Sequence, residues 1–314
     1  MILIVASDED VHARRVAQEI EHIGAPAAIL DWRTAANTSV ASLRYGTDRA
    51  RRSVRPLDDH RAFDLDEVDA VWTRRVGPAT IPPSILGIDQ RSFVAAEWRD
   101  LLYGLLDGPH AVSPLDAQRS ATKPAQLARA PRAGLTIPDT LITSDPLEAG
   151  GFIDEHGGRV VHKTMNSPRD RLLATLRWEE RHRSDLARLP LVPTIFQELI
   201  EGPRDLRVTV IGTTCYAASI EGGASAKHVD SRLDVDVPII PFELPPALAA
   251  ALIDLMGLLG LTFATIDLKQ AWDGTFYFLE LNPQGQFLYI EILTGLPIAA
   301  GMARYLAGLE NRQA

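Results

Sequence analysis

The sequence has one cysteine, Cys215, in 314 residues. That excludes an intramolecular disulfide and any cysteine-rich zinc site, and it suits a reducing compartment. No apolar run reaches the length of a membrane span. The opening MILIVA is followed by Asp8, Glu9 and Asp10, the wrong length and flank for a secretory signal, so a cytoplasmic location is expected. Positive charge is also in deficit: 32 Lys and Arg against 41 Asp and Glu give a formal net charge of -9. A general affinity for nucleic acid or an anionic membrane is therefore not expected, although Arg49, Arg51, Arg52 and Arg55 form a local cluster. There is no internal repeat and no low-complexity segment. No Ser, Cys or His stands beside an evident base, and Cys215 within CYAASI reads as a small core residue rather than a nucleophile.

What is present is a soluble globular composition, 46% hydrophobic and 23% charged, over a length that calls for two or three packed units. Residues 1–6 read as a buried strand. Val11, Ala13, Val16, Ala17, Ile20 and Ile23 then recur at helical spacing up to Gly24, and residues 26–30 supply a second strand. This β-α-β opening predicts a parallel sheet covered by helices. Residues 38–56 read as a polar, arginine-rich hairpin or ordered loop, residues 70–73 as a third strand and 93–106 as an amphipathic helix. A first boundary is placed near Pro109. Beyond it come a helix over 124–133, a strand over 140–143, a helix over 146–155, a β-rich run over 159–163, a polar loop over 164–171 and a strand over 194–199. Strands over 206–211 and 216–220, a helix over 246–259 and a hairpin over 262–281 complete the pattern. The expected class is mixed α/β and α+β, divided as residues 1–109, 110–195 and 196–314.

The hairpin makes a geometric claim. Asp273-Gly274 is a two-residue turn signal. Counting outward from it pairs Trp272 with Thr275, Leu268 with Leu279, and Asp267 with Glu280. Asn282, two residues beyond Glu280, shares its face. Two carboxylates directly opposed across a ladder repel, so a positive group should sit between them. The apolar flanks Phe263, Ile266, Leu268, Phe276, Phe278, Leu279 and Leu281 argue against a merely solvated hairpin. An all-oxygen set of Asp267, Glu280 and Asn282 suits magnesium, which shares its coordination with nucleotide phosphates.

Taken together, Lys123, VHK at 161–163, QELIEGPRDLRVTVIG at 197–212, IDLK at 266–269 and LELNPQGQ at 279–286 resemble an ATP-grasp ligase. With AVWTRR at 70–75, RSFVAAEWR at 91–99 and GLTIPDTLITSDP at 134–146, the chain looks like the ATP-grasp enzymes that mature ribosomal peptides, the microviridin-type or graspetide synthetases. The resemblance implies an ATP-grasp fold behind an N-terminal pre-ATP-grasp α/β domain, with ATP and Mg2+ as cofactors. It implies that Lys123 and Lys163 hold phosphates, and that the 164–171 loop closes over them. Gln197, Glu198, Leu199 and Ile200 would form the adenine hinge. Asp205 and Arg207 share a strand face, with Arg207 reaching phosphate, and Arg232 would lie near the acyl-phosphate. The implied partner is a ribosomal precursor peptide with a leader segment, and a homodimer is compatible. Arg74 and Arg75 are offered as contacts for an acidic peptide. Thr122 stands where the family usually has asparagine, and Phe287 where it commonly has tryptophan. Two other readings use the same nucleotide residues: a ligase for a free amino acid or small carboxylate, and a non-catalytic ATP-binding protein.

Overall fold

The computed structural model describes residues 1–47, 50–57, 63–106, 111–166, 175–222 and 237–308. The chain opens with β1 (Ile2–Val5), α1 (Val11–His22) and β2 (Ala27–Leu30). Asp10 caps α1 through the backbone N–H groups of His12 and Ala13, and Gly24, at φ +77°, ends it. A short α2 (Ala35–Thr38) leads into the antiparallel ribbon of β3 (Ser39–Tyr45) and β4 (Ala50–Pro56), extended by β5 (Phe63–Asp64). Then follow β6 (Ala70–Thr73), the long α3 (Ile88–Leu106) and β7 (Ala111–Val112). The helix begins five residues before the predicted start at Phe93. Four strands form a parallel sheet in the order β2-β1-β6-β7. β1 is buried on both faces: Ile2 and Ile4 point into one core, Leu3 and Val5 into another.

The middle of the chain holds α4 (Leu115–Ser120), α5 (Lys123–Arg129), β8 (Thr140–Thr143), α6 (Pro146–Glu155), β9 (Val160–Lys163), β10 (Leu176–Arg177) and β11 (Thr194–Glu198). Their sheet runs β10-β9-β11-β8 and is antiparallel at each junction. A 3-10 stretch over Glu180–Leu191, which hydrophobic spacing does not announce, packs Leu186 and Leu189 against Ile153 and Phe196.

The last sheet runs β14-β13-β12-β15-β16, from β12 (Arg204–Ile211), β13 (Thr214–Ile220), β14 (Ile239–Pro241), β15 (Phe263–Gln270) and β16 (Phe276–Asn282). α7 (Pro246–Leu259) packs Leu252, Leu255, Met256 and Leu259 on one face, against Leu206, Val208, Val210, Ile266, Leu268 and Phe278. The opposite face carries Asp205, Arg207, Asp267 and Lys269. After β16, α8 (Leu288–Thr294) and α9 (Ile298–Leu306) return to the N-terminal unit, where Ile290, Ile298 and Met302 join Ile4, Val16 and Ile20 in one core. No helix among the described residues is long and apolar enough to cross a membrane.

The β15–β16 register departs from the predicted one at the tip and returns to it at the carboxylates. Ala271 donates to the Thr275 carbonyl at 2.8 Å and Gly274, at φ +89°, donates to the Ala271 carbonyl at 3.0 Å. This is a three-residue connection, not a two-residue one, with glycine at the left-handed position. Leu268 therefore faces Phe278, not Leu279. A bulge between Asp267 and Leu268 then absorbs one residue, and Asp267 faces Glu280 as predicted.

Ser113 ties the N-terminal unit to the start of β15. At φ +53° and almost wholly buried, its hydroxyl accepts from the N–H groups of Thr262 and Phe263 at 3.1 and 2.9 Å. Ser113→Ala leaves both donors buried without that partner. It is expected to destabilise the protein by about 1–3 kcal/mol, read as a lower urea midpoint with an unchanged slope.

Candidate functional site

The polar face of the last sheet is a row of cross-strand charge pairs. Asp205 is opposite Lys269, whose Nζ lies 2.9 Å from the Asp205 carboxylate. Arg207 is opposite Asp267, and its Nη1 donates to Asp267 Oδ1 at 2.6 Å. Asp267 is in turn opposite Glu280, and Thr265 opposite Asn282. Arg207 is 5% exposed, whereas the Asp267 and Glu280 side chains keep 24% and 22% of their surface. The buried base of the row is cationic and its rim is anionic.

The positive charge that opposed carboxylates require is supplied by the chain itself, from two directions. Arg207 serves Asp267. Lys123, at the first turn of α5, serves Glu280, with Nζ 3.1 Å from Oε2. The same ammonium donates to the Thr164 carbonyl at 3.1 Å. The segment leaving β9 directly after Lys163 is thereby held beside Glu280. Within β9, His162 stacks toward Phe196 in the central core, so strand alternation turns Lys163 to the other face.

Two glutamines hold this region where the sequence gives little notice of them. Gln126, 3% exposed on α5, accepts from the Leu281 N–H and donates to the Leu281 carbonyl, both at 2.8 Å. A side-chain amide thus completes the hydrogen bonding of β16 like a neighbouring strand. Phe278 N–H is met by the Thr136 carbonyl at 2.8 Å. Gln284 enters a slot between β6 and α4: its Oε1 accepts from the Arg75 N–H at 2.6 Å and its amide donates to the Thr73 carbonyl and to Gln118. A buried polar glutamine at helical spacing was the only available signal for Gln126, and spacing alone cannot name its partner.

Arg74 stands in different surroundings from those expected. It is 1% exposed, so it does not face a peptide. Its Nε lies 3.0 Å from both carboxylate oxygens of Asp10, and Nη1 donates to the Gly285 carbonyl at 3.0 Å. The rings of Trp72 and Phe287 lie about its guanidinium, 5.9 and 6.0 Å away. Arg207 Nη2 reaches the next carbonyl, of Gln286, at 3.1 Å. Two buried arginines from different units therefore grip consecutive carbonyls of the turn that ends β16. Gly285 is required there, since a Cβ would fall 1.6 Å from Thr265 Oγ1. Arg75, the other expected contact, is exposed, at φ +47°.

Burial alone would raise the Asp10 pKa. The His12 hydrogen bond, the Arg74 charge and the Ala13 N–H outweigh it and hold the carboxyl well below the usual range. Burial lowers the His12 pKa, with the Arg74 charge acting in the same sense. The neutral ring accepts from the Phe287 N–H at Nε2, at 3.3 Å.

The expected hinge is partly engaged by the fold. Gln197 is buried and donates to Thr140 Oγ1 at 2.9 Å, the Glu198 N–H donates to the Asp139 carbonyl and the Leu199 N–H to the Arg159 carbonyl. Ile200 follows, half-buried, and Gly202 then packs against the Gln270 carbonyl where no Cβ would fit. Arg232, and residues 167–171 of the expected loop, lie outside the described residues. Asn282 is exposed, and its Oδ1 accepts from the Gln284 N–H at 2.8 Å, leaving a further lone pair. Among the described residues there is no group of three or more His, Cys, Asp or Glu that could hold a metal. Two carboxylates and one amide oxygen fit a hard divalent cation that completes its shell from phosphates, and fit zinc or copper poorly.

The fold and this site have counterparts among known proteins. The macrocyclase MdnC from Microcystis aeruginosa MRC, solved bound with precursor peptide MdnA, is 25% identical, with a TM-score of 0.85 over 98% of this chain and 99% of that one. A RiPP-associated ATP-grasp ligase from Chryseobacterium gregarium, solved with ADP and a leader and core peptide, is also 25% identical, with a TM-score of 0.87 over 98% and 96%. The macrocyclase MdnB from Microcystis aeruginosa MRC is 26% identical, with a TM-score of 0.79 over 97% and 98%. N-acetylaspartylglutamate synthase A of Mus musculus is 29% identical over 192 residues, 57% of this chain, so the match spans about half, 49%, of that relative. No family model matches the chain. The fold is ATP-grasp.

Arg74→Met strands Asp10 as a buried unpaired charge. It is expected to cost about 3–5 kcal/mol, whereas Arg75→Ala should stay within about 0.5 kcal/mol; chemical unfolding of both variants checks the contrast. Asp10 and His12 both titrate lower in the folded chain than in the unfolded one. The unfolded chain therefore takes up both protons first as pH falls. Stability should decline as pH drops through about 6.5 for the histidine, and further below about 4 for the carboxylate.

Proposed function

We propose that this chain, an ATP-grasp ligase akin to those that mature ribosomal peptides, activates Asp or Glu side chains of a precursor peptide as acyl-phosphates and joins them to Ser, Thr or Lys side chains. The observation that carries this reading is the opposed pair Asp267 and Glu280 on the sheet face that also bears Arg207, with Lys123 reaching Glu280 from the central unit. The likeness in fold over nearly the whole length to ligases solved with precursor, leader and core peptides supports the choice of a peptide over a free amino acid.

In this reading a substrate carboxylate attacks the γ-phosphorus of ATP, and ADP leaves. A hydroxyl or amine of the same peptide then attacks the acyl carbon, the proton passes to solvent or phosphate, and inorganic phosphate leaves. Each link removes the elements of one water and closes a macrolactone or macrolactam. No protein nucleophile is needed, which agrees with the state of Cys215: burial pushes its thiol up to about 11.

Asp267, Glu280 and Asn282 would hold Mg2+, which when bound neutralises phosphate charge. Lys123, Lys163 and Arg207 would supply the remaining positive charge to the triphosphate. Lys123 meets Glu280 in this structure and would exchange that carboxylate for phosphate. Asp205 orients Lys269 beside Arg207, and Gln197, Glu198, Leu199 and Ile200 would frame the adenine. Arg232 is assigned near the acyl-phosphate on the resemblance alone. The same reading includes three units, divided after β7 and after β11 rather than at residues 109 and 195, because those cuts would separate β7 from its sheet and interrupt β11. It also includes a leader segment seated between the first two units, a cytoplasmic location and compatibility with a homodimer.

Incubation with a candidate precursor peptide, ATP and Mg2+ should lower the peptide mass by about 18 Da per link, one water for each condensation. Glu280→Gln should reduce link formation by about a hundredfold or more, with an unchanged circular dichroism spectrum. An unmodified peptide, with ADP formed only when a free amino acid is supplied, would replace this reading with a small-molecule ligase.

A further inference from the structure

The N-terminal ribbon carries an arginine face that the nucleotide site does not use. β3 and β4 pair antiparallel with Val40 opposite Arg55, Ser42 opposite Ser53 and Arg44 opposite Arg51. Val54, between Ser53 and Arg55, is buried in the core beneath, and Arg52 turns the same way to pair with Asp66 at 2.9 Å. Alternation therefore places Arg44, Arg51 and Arg55 together on the outer face. Arg44 and Arg51 are exposed and sit directly across the ladder from each other.

Like charges in that relation destabilise a ribbon. Most other arginines of the N-terminal unit are met: Arg15, Arg33, Arg52, Arg74 and Arg99 each sit against a carboxylate, and Arg14 and Arg91 donate to backbone carbonyls. Among the described residues no ion pair or hydrogen bond reaches the side chains of Arg44, Arg51 or Arg55. In a chain of net charge -9, a local surplus of three is a field of opposite sign to its surroundings. Val40, 41% exposed, adds an apolar contact on the same face.

We infer that this face docks an acidic, extended stretch of the peptide substrate. Arg51 and Arg55 are four residues apart on one strand, roughly 13 Å at 3.3 Å per residue. Carboxylates at positions i and i+4 of an extended peptide match that interval, and a third can lie between Arg44 and Arg51. The incoming carboxylate relieves the repulsion that the free ribbon carries. The substrate's being a peptide rests on the proposed function; the arginine face itself does not.

The test uses the full chain without nucleotide and a fluorescein-labelled twelve-residue peptide of Glu alternating with Ser. Anisotropy should show binding that weakens as salt rises. Arg51→Glu places opposite charges at the cross-strand position. It should weaken binding about tenfold, flatten the salt dependence, and leave the urea midpoint equal to or above that of the wild type. Arg44→Glu should do the same. Affinity within twofold of the wild type in both variants would overturn the inference. Equally tight binding of a single-stranded oligonucleotide of the same charge would overturn it too. So would loss of self-association in Arg51→Glu with unchanged peptide affinity, which would assign the face to a second copy of the chain. Absence of link formation, with this binding intact, would count against the proposed function and not against the arginine face.

Discussion

A guanidinium shut away from water must have its charge met, and Arg74 has it met by groups that belong to distant parts of the chain. Asp10 lies 64 residues before it and the Gly285 carbonyl 211 residues after. Leaving either arginine or aspartate alone there would be far more costly than never having buried them. The turn that ends β16 is consequently fixed against the N-terminal sheet, not simply close to it. Gln284 and the His12 contact to the Phe287 N–H add neutral bonds on either side, and Arg207 takes the Gln286 carbonyl from beneath. The N-terminal sheet and the last sheet meet at this turn as one frame, and the core shared by α1 and α9 extends the join.

The central sheet is attached more lightly. Lys123, the Thr136 carbonyl and Gln126 carry described contacts from the central residues to β16. Of these the lysine is the exchangeable one, because an ammonium that serves Glu280 now can serve another anion later without leaving the rim. A phosphate arriving at this edge would not have to find a free cation; it would compete for one already in place. Asp267 has no such freedom, since its partner Arg207 is buried and tied to the backbone.

Much of this was legible in the residue pattern, and the parts that were not share a physical cause. The strands and helices follow from periodicity and caps, and Pro246–Leu259 was bounded correctly at both ends by proline and leucine before Gly260. The opposition of Asp267 and Glu280 was also predicted, although the tip was not: a longer connection and a bulge shift the count by one residue in opposite senses. The surroundings of Arg74 are not legible in the sequence, because a charged residue after a strand ordinarily meets solvent and nothing local says that Asp10 and Gly285 will enclose it. Gln126 escaped for the same reason. Periodicity does not mark the C-terminal helices or the 3-10 stretch, because their apolar residues serve cores built by other segments. Periodicity reports which face of an element is buried; it does not report by whom.

The bulge at the base of the β15–β16 hairpin has a consequence for how this chain tolerates change. Tip and bulge form a compensated pair of register shifts, so the strand cannot slide on one of them alone. If β16 re-paired on a two-residue turn at Asp273-Gly274 with the bulge kept, Asp267 would face Leu281, and an apolar side chain would stand at the rim in place of Glu280. Deleting one residue within the tip is a different event: Ala271 still meets Thr275, and every pair outward of it is unchanged. The hairpin therefore tolerates a shorter loop but not slippage, and a chimera is safe here so long as residues 263–271 and 275–282 keep their own spacing.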